Sequence, residues 1–239
     1  RATIVAGTYE PTELECEWED EELDDEEEEE GEEVVVGVPT FWLTVFQNCQ
    51  PIADTIEDQD VEILKCLENV EIETDESGNY EVTYTFAENE FFDGTVLSKK
   101  YNVSIDMDPE HPDCHYDGPE YKQGEGCVIA WKPNMNPTVK ITEKKQRKKT
   151  GAGKGQVRVV KKSEAVDSFF NFFTPPIMPE ASSDPEDLSE ELQEQLFRDF
   201  ELGDVLKDRV IPHAVLWFTG EAMGDDDDEM GEEEDDEEG

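Results

Sequence analysis

The sequence predicts an α+β fold in which helices and strands occupy separate blocks. Three observations carry this reading. Apolar residues recur at helical spacing over 38–67, at period two over 70–105 and 139–162, and at helical spacing again beyond 184. No internal repeat or heptad run interrupts that order. Between the last strands and the last helices stands the segment 168–176, which packs four of the chain's twelve phenylalanines into five residues. Four such rings cannot share one side of a strand or a helix. The segment therefore reads as a wedge where the sheet meets the helices.

Residues 1–33 are expected to be an upstream segment plus an acidic loop, 34–222 the folded body, and 223–239 an acidic tail. The charge run 19–33 has too little apolar surface to order itself. In 38–49, Pro39 suits a first helical turn, and Phe41, Trp42, Val45, Phe46 and Cys49 form one apolar stripe. Asp60 is placed to cap a second helix that turns Ile63, Leu64 and Leu67 inward. Val70, Ile72 and Thr74 then lead through the turn 75–79 to the alternation of Tyr80, Val82, Tyr84 and Phe86, which is a hairpin signal. Segment 96–105 is a further strand, 107–126 a long Pro-, Gly- and Asp-rich loop, and 127–131 a short strand. Segments 139–147 and 156–162 form a second hairpin around the glycine-rich 148–155. After the Phe cluster, Asp184 and Pro185 open a helix carrying Leu188, Leu192, Leu196, Phe197 and Phe200, with Gly203 as its stop. Val205, Leu206 and Val210 belong to another helix. Pro212 opens a last one with Val215, Leu216, Trp217 and Phe218.

Charge limits the function. Sixty-five acids face nineteen bases, a net of −46. Fifteen acids lie in 15–33 and twelve in 225–239, yet without them 38 acids still face 19 bases. The body itself carries a negative field, which repels nucleic acid and anionic lipid and attracts basic partners. No apolar run approaches the ~20 residues that span a bilayer. Five widely spaced cysteines read as reduced thiols of the cytosol or nucleus. The chain opens on Arg1 rather than Met, which reads as a fragment or processed form.

Catalytic motifs are missing. His111, Cys114, His115 and Cys127 match no zinc spacing, so no metal or cofactor is expected. The Gly151–Gly155 stretch lacks the Ser or Thr and the frame of a phosphate loop. No nucleophile–base set emerges, and the chain is not expected to be an enzyme. One segment departs from the acidic background: 140–162 holds ten of the nineteen bases. Two readings fit it, a charged edge hairpin that resists aggregation and a nuclear-import address at Lys144, Lys145, Arg147, Lys148 and Lys149.

Several stretches, in order, resemble the nucleosome assembly protein family of histone chaperones. They are Val-Pro-Thr-Phe-Trp-Leu-Thr-Val-Phe at 38–46, Gly126-Cys127 with Trp131-Lys132, the basic run 144–149, Asp-Ser-Phe-Phe-Asn-Phe-Phe-Thr-Pro-Pro at 167–176, and Ile211-Pro212 with Trp-Phe-Thr-Gly at 217–220. The Phe-rich string and the basic hairpin favour this branch over the related acetyltransferase-inhibitor branch. The resemblance implies an "earmuff" α+β domain that binds core histones through an acidic concave surface. It places histone contacts at Asp54, Asp58 and Asp167, and secondary ones at Asp184, Glu190, Glu191 and Glu194. It implies an import receptor as a partner of the basic hairpin, a protein that shuttles between nucleus and cytoplasm, and polyglutamylation within 232–238. The family dimerises through a long upstream helix; only 2–6 here corresponds to it, so the intact protein is expected to be a homodimer and this stretch alone a monomer. The alternative function is an acidic regulator of a chromatin enzyme such as an acetyltransferase or phosphatase.

Overall fold

The computed structural model describes residues 1–10, 37–104, 120–147, 157–179 and 188–223. Four short helices come first: α1 (Ala2–Val5), α2 (Phe41–Asn48), α3 (Gln50–Ala53) and α4 (Asp58–Leu64). Helix α2 buries Phe41, Trp42, Val45 and Phe46 of the expected stripe and Leu43 besides, while Cys49, also buried, is its C-cap. It begins later than expected. Thr40 holds a left-handed backbone (φ 58°) at the N-cap, so Pro39 lies in the preceding turn and not in the helix. The capping assignment of Asp60 is likewise corrected. Glu57 is the N-cap of α4, and Asp60 sits one turn inside, where its Oδ2 accepts the Glu57 N–H at 3.1 Å.

The main sheet is antiparallel, ordered β1 (Leu67–Thr74), β2 (Tyr80–Phe86), β4 (Val96–Ser104), β5 (Glu120–Gly126). Strand β2 is central and buries Tyr80, Val82, Tyr84 and Phe86 in strict alternation. Part of the expected loop 107–126 is thus a strand; 105–119 lies outside the described residues. Strand β5 shows no apolar alternation because glycine, not a hydrophobe, packs its inner face. A Cβ on Gly126 would collide with the Phe173 carbonyl oxygen, and one on Gly124 would lie 3.1 Å from Pro175 Cβ. The expected strand 127–131 shrinks to β6 (Ala130–Trp131), paired with β3 (Phe92–Asp93). The second hairpin forms a sheet of its own: β7 (Val139–Arg147) pairs with β8 (Val157–Ala165), from Val139↔Ala165 to Arg147↔Val157.

The Phe cluster is a 3-10 turn, Phe169–Phe173, with all four rings buried. Ser168 caps it by accepting the Phe170 N–H at 3.2 Å. The rings close around Tyr84, whose centroid lies 5.2 Å from Phe173, 5.8 Å from Phe172 and 6.1 Å from Phe169. That cage leaves the Tyr84 hydroxyl buried without a hydrogen-bond partner among the described residues. Removing an unsatisfied buried hydroxyl removes a desolvation cost of about 1–3 kcal/mol. Tyr84→Phe is therefore expected to leave stability unchanged or to raise it by about 1 kcal/mol, read from urea unfolding; a loss above that would show that the hydroxyl is satisfied.

Helix α5 (Glu190–Asp204) starts at Ser189, which accepts the Leu192 N–H, and not at Asp184, which lies outside the described residues. Gly203 does not end it. The helix runs into a π-helical stretch, Val205–Val210, and Gly203 is instead the point where it crosses the sheet. A Cβ there would stand 2.6 Å from both Tyr101 Cζ and the Tyr80 hydroxyl. Helix α6 (Ala214–Thr219) follows and is closed by Gly220 at φ 83°. Its Trp217 is buried, but Val215 and Leu216 are exposed, so the expected apolar run covers only one side.

Candidate partner-binding surface

Helices α3 and α5 and the Phe turn meet around a cleft of about 650 Å³. Its walls include Asp54, Thr55, Phe172, Arg198, Asp199 and Glu201. Asp54 is exposed at the end of α3 and accepts from Gln50 Nε2 at 2.5 Å. Asp58 is exposed at the first position of α4. Asp167 is exposed just before the Phe turn. Gln59, the neighbour of Asp58, donates from Nε2 to the Asp167 carbonyl at 2.9 Å. Asp167, more than a hundred residues beyond Asp54 and Asp58, therefore belongs to the same region of the fold.

Asp60 holds that region together. Its side chain is fully buried. Oδ1 accepts from Ser168 Oγ at 2.7 Å, and Oδ2 accepts from Phe169 N at 2.7 Å as well as from Glu57 N. A buried carboxylate needs such donors. This latch ties α4 to the segment that presents Asp167.

A second buried group anchors α5. Lys99 of β4 is fully buried and its Nζ pairs with Asp199 Oδ1. The ammonium lies 4.0 Å from the Phe172 ring centroid and 4.8 Å from that of Tyr101. Tyr121 donates to Asp199 Oδ2 at 3.2 Å. Burial pushes the Lys99 ammonium below the usual lysine range, and Asp199 partly restores it. Asp199→Ala would leave that charge buried without its partner. Such losses cost about 3–5 kcal/mol, so a clear drop in melting temperature is expected; an unchanged melt would show that Lys99 finds another partner or water.

Burial also holds the hydroxyls of Tyr80, Tyr84, Tyr101 and Tyr121 above the ordinary tyrosine value, with the Asp199 carboxylate adding to the effect on Tyr101 and Tyr121. Above about pH 10 the unfolded chain releases these protons while the folded chain keeps them, so the folded state binds more protons. Stability is therefore expected to fall as pH climbs past that point. A tyrosinate absorbance titration should show these four ionising only as the protein unfolds.

The remaining expected contacts sit elsewhere. Glu190 and Glu191 are exposed in the first turn of α5, where acids suit the helix dipole. Glu194 is exposed and accepts from Arg198 Nη2 at 2.6 Å. Glu190 and Glu194 border a different hollow, beside Tyr121 and Phe197. Lys144, Lys145 and Arg147 belong to β7, whereas Lys148 and Lys149 lie outside the described residues. So do His111, Cys114 and His115, and both acidic runs. Among the described residues, no group of three His, Cys, Asp or Glu is placed to hold a metal, and no helix is long and apolar enough to cross a membrane.

Sequence reasoning missed Lys99, Asp199 and Glu201, though a signal was present. Lys99 lies between Leu97 and Tyr101 on the inward positions of its strand. Asp199 lies between Leu196 and Gly203 on the buried side of its helix. A charge at an inward position requires a partner.

The family model described as Nucleosome assembly protein (NAP) matches residues 1–221. The chain belongs to the nucleosome assembly protein family. It is 42% identical over 242 residues to nucleosome assembly protein 1-like 1-A of Xenopus laevis, covering 95% of this chain and 60% of that protein. It is 40% identical over 243 residues to nucleosome assembly protein 1-like 1 of Homo sapiens, with the same coverage. The chain thus spans about 60% of the length of these relatives. Among solved structures, nucleosome assembly protein 1 from Plasmodium knowlesi superposes with a TM-score of 0.54 at 29% identity, over 76% of this chain and 68% of that one. The mixed fold, with its antiparallel sheet and flanking helices, is the family's earmuff architecture.

Proposed function

We propose that this chain is a histone chaperone. It binds core histones through the acidic region around Asp54, Asp58 and Asp167, and it shields their basic surface from premature contact with DNA. The observation that carries this reading is the latch at Asp60, which ties α4, with its exposed Asp58, to the segment that carries Asp167, in a chain of a family named for nucleosome assembly. Fixed charges supply register, and the acidic runs 15–33 and 225–239 add long-range attraction. Glu190, Glu191 and Glu194, early in α5, and Asp184 serve as secondary contacts. The activity is binding without catalysis. The basic run at Lys144, Lys145, Arg147, Lys148 and Lys149 serves as an address for an import receptor, which fits a protein that moves between cytoplasm and nucleus.

The test is an assembly assay at physiological salt. Histones and DNA mixed directly precipitate; in the presence of a chaperone they are expected to stay soluble and form nucleosomes. A protein that bound histones yet failed to support deposition would instead be an acidic regulator of a chromatin enzyme, and the proposal would fall.

A further inference from the structure

A different surface of α5 is built for more than charge. Phe197 stands 66% exposed at its middle. It forms a ridge between two hollows, one of about 550 Å³ floored by Tyr121, Met178 and Leu196, the other of about 320 Å³ beside Val205. Phe200 borders both, half-buried, with its ring 4.8 Å from that of Tyr121. The rim is mainly acidic, with Glu190 and Glu194 on one side and Glu201, Asp204 and Asp208 on the other; Arg198 pairs with Glu194, Lys207 pairs with Asp204 and Asp208, and Arg209 also lines the second hollow. Read along the helix, Glu190, Glu194, Phe197, Glu201 and Asp204 fall at three- and four-residue steps, a single stripe. At 1.5 Å per residue α5 offers about 20 Å of this stripe.

An isolated exposed phenylalanine is unremarkable on a protein surface. One set between two apolar hollows, with acids outnumbering bases on the rim, is complementary to a particular ligand. We infer that this face docks a basic amphipathic helix, whose apolar anchors fill the hollows beside Phe197 and whose Lys or Arg residues meet the acidic rim. The chain's own remaining segments do not suit it. Stretches 11–36, 105–119 and 224–239 carry large apolar residues but are acidic like the rim. Stretch 180–187 is acidic without a large apolar residue, and the basic stretch 148–156 has no large apolar residue either. None of these stretches supplies the occupant. This site shares Glu190 and Glu194 with the secondary histone contacts, but its apolar ridge, rather than the acids near Asp54, defines it.

The experiment uses the full chain and a synthetic fluorescent peptide with Leu and Phe on one helical face and Lys on the other. A scrambled peptide of the same composition and polylysine serve as controls, all followed by anisotropy. The amphipathic peptide is expected to bind and to keep part of its affinity at high salt. Phe197→Ser should weaken it roughly tenfold or more, as the loss of a buried aromatic anchor implies, whereas Phe197→Leu should retain most of the affinity. Polylysine should bind all three proteins alike. Equal affinity of the amphipathic peptide for the parent chain and Phe197→Ser would overturn the inference. So would equal binding of the scrambled peptide. A dimer in sedimentation that Phe197→Ser converts to monomer would also overturn it, by showing that a second copy occupies the face. None of these outcomes bears on charge reversal at Asp54, so the two readings fail separately.

Discussion

Asp60→Ala is expected to destabilise the protein by about 3–5 kcal/mol, a large share of the stability of an ordinary domain. Three donors converge on this fully buried carboxylate: Ser168 Oγ, Phe169 N and Glu57 N. Alanine strands all three, two of them in the core. The damage should be regional as well as global, because the same carboxylate holds the start of the Phe turn against α4. Asp60→Asn keeps an acceptor oxygen and should cost less, about 1–2 kcal/mol. Urea unfolding of both variants checks the order. A loss below about 1 kcal/mol for Asp60→Ala would mean that the latch is not what fixes this corner.

The second large effect is on binding. Asp54→Lys, Asp58→Lys and Asp167→Lys together are expected to weaken histone affinity by about 10- to 100-fold at low salt, and by less as salt screens the charges. Each single reversal should have a small effect, since exposed pairs contribute about 0–1 kcal/mol. All three side chains are exposed, so the fold should tolerate the change. Unaltered affinity in the triple variant would move the site away from α3 and α4.

Much of the fold was legible in the sequence because burial and periodicity coincide in it. Strand β2 alternates buried and half-buried residues without exception, and α2 buries the stripe its spacing displays. The failures share a physical cause, which is that polar or small residues do the packing. Gly124 and Gly126 let β5 lie against the Phe turn, so that strand reads as loop. Gly203 reads as a helix stop, yet it is the only side-chain size that lets α5 cross Tyr80 and Tyr101. Asp60 reads as a cap because Asp commonly caps helices; its true partners are Ser168 and Phe169, more than a hundred residues away. The candidate site was legible only as a set of positions implied by resemblance. What the sequence does not display is which groups the two buried charges meet: Ser168 and Phe169 for Asp60, and Asp199 for Lys99.

Core histones are proposed to engage the region of α3, α4 and the start of the Phe turn. Amide hydrogen exchange of the full chain, with and without histone dimer, tests it most directly. Exchange is expected to slow over 52–60 and 166–169 when histone is bound, together with the cleft-facing part of α5 around Arg198–Leu202. Protection confined to the acidic run 225–239 or to the β7–β8 hairpin, with 52–60 unchanged, would contradict it.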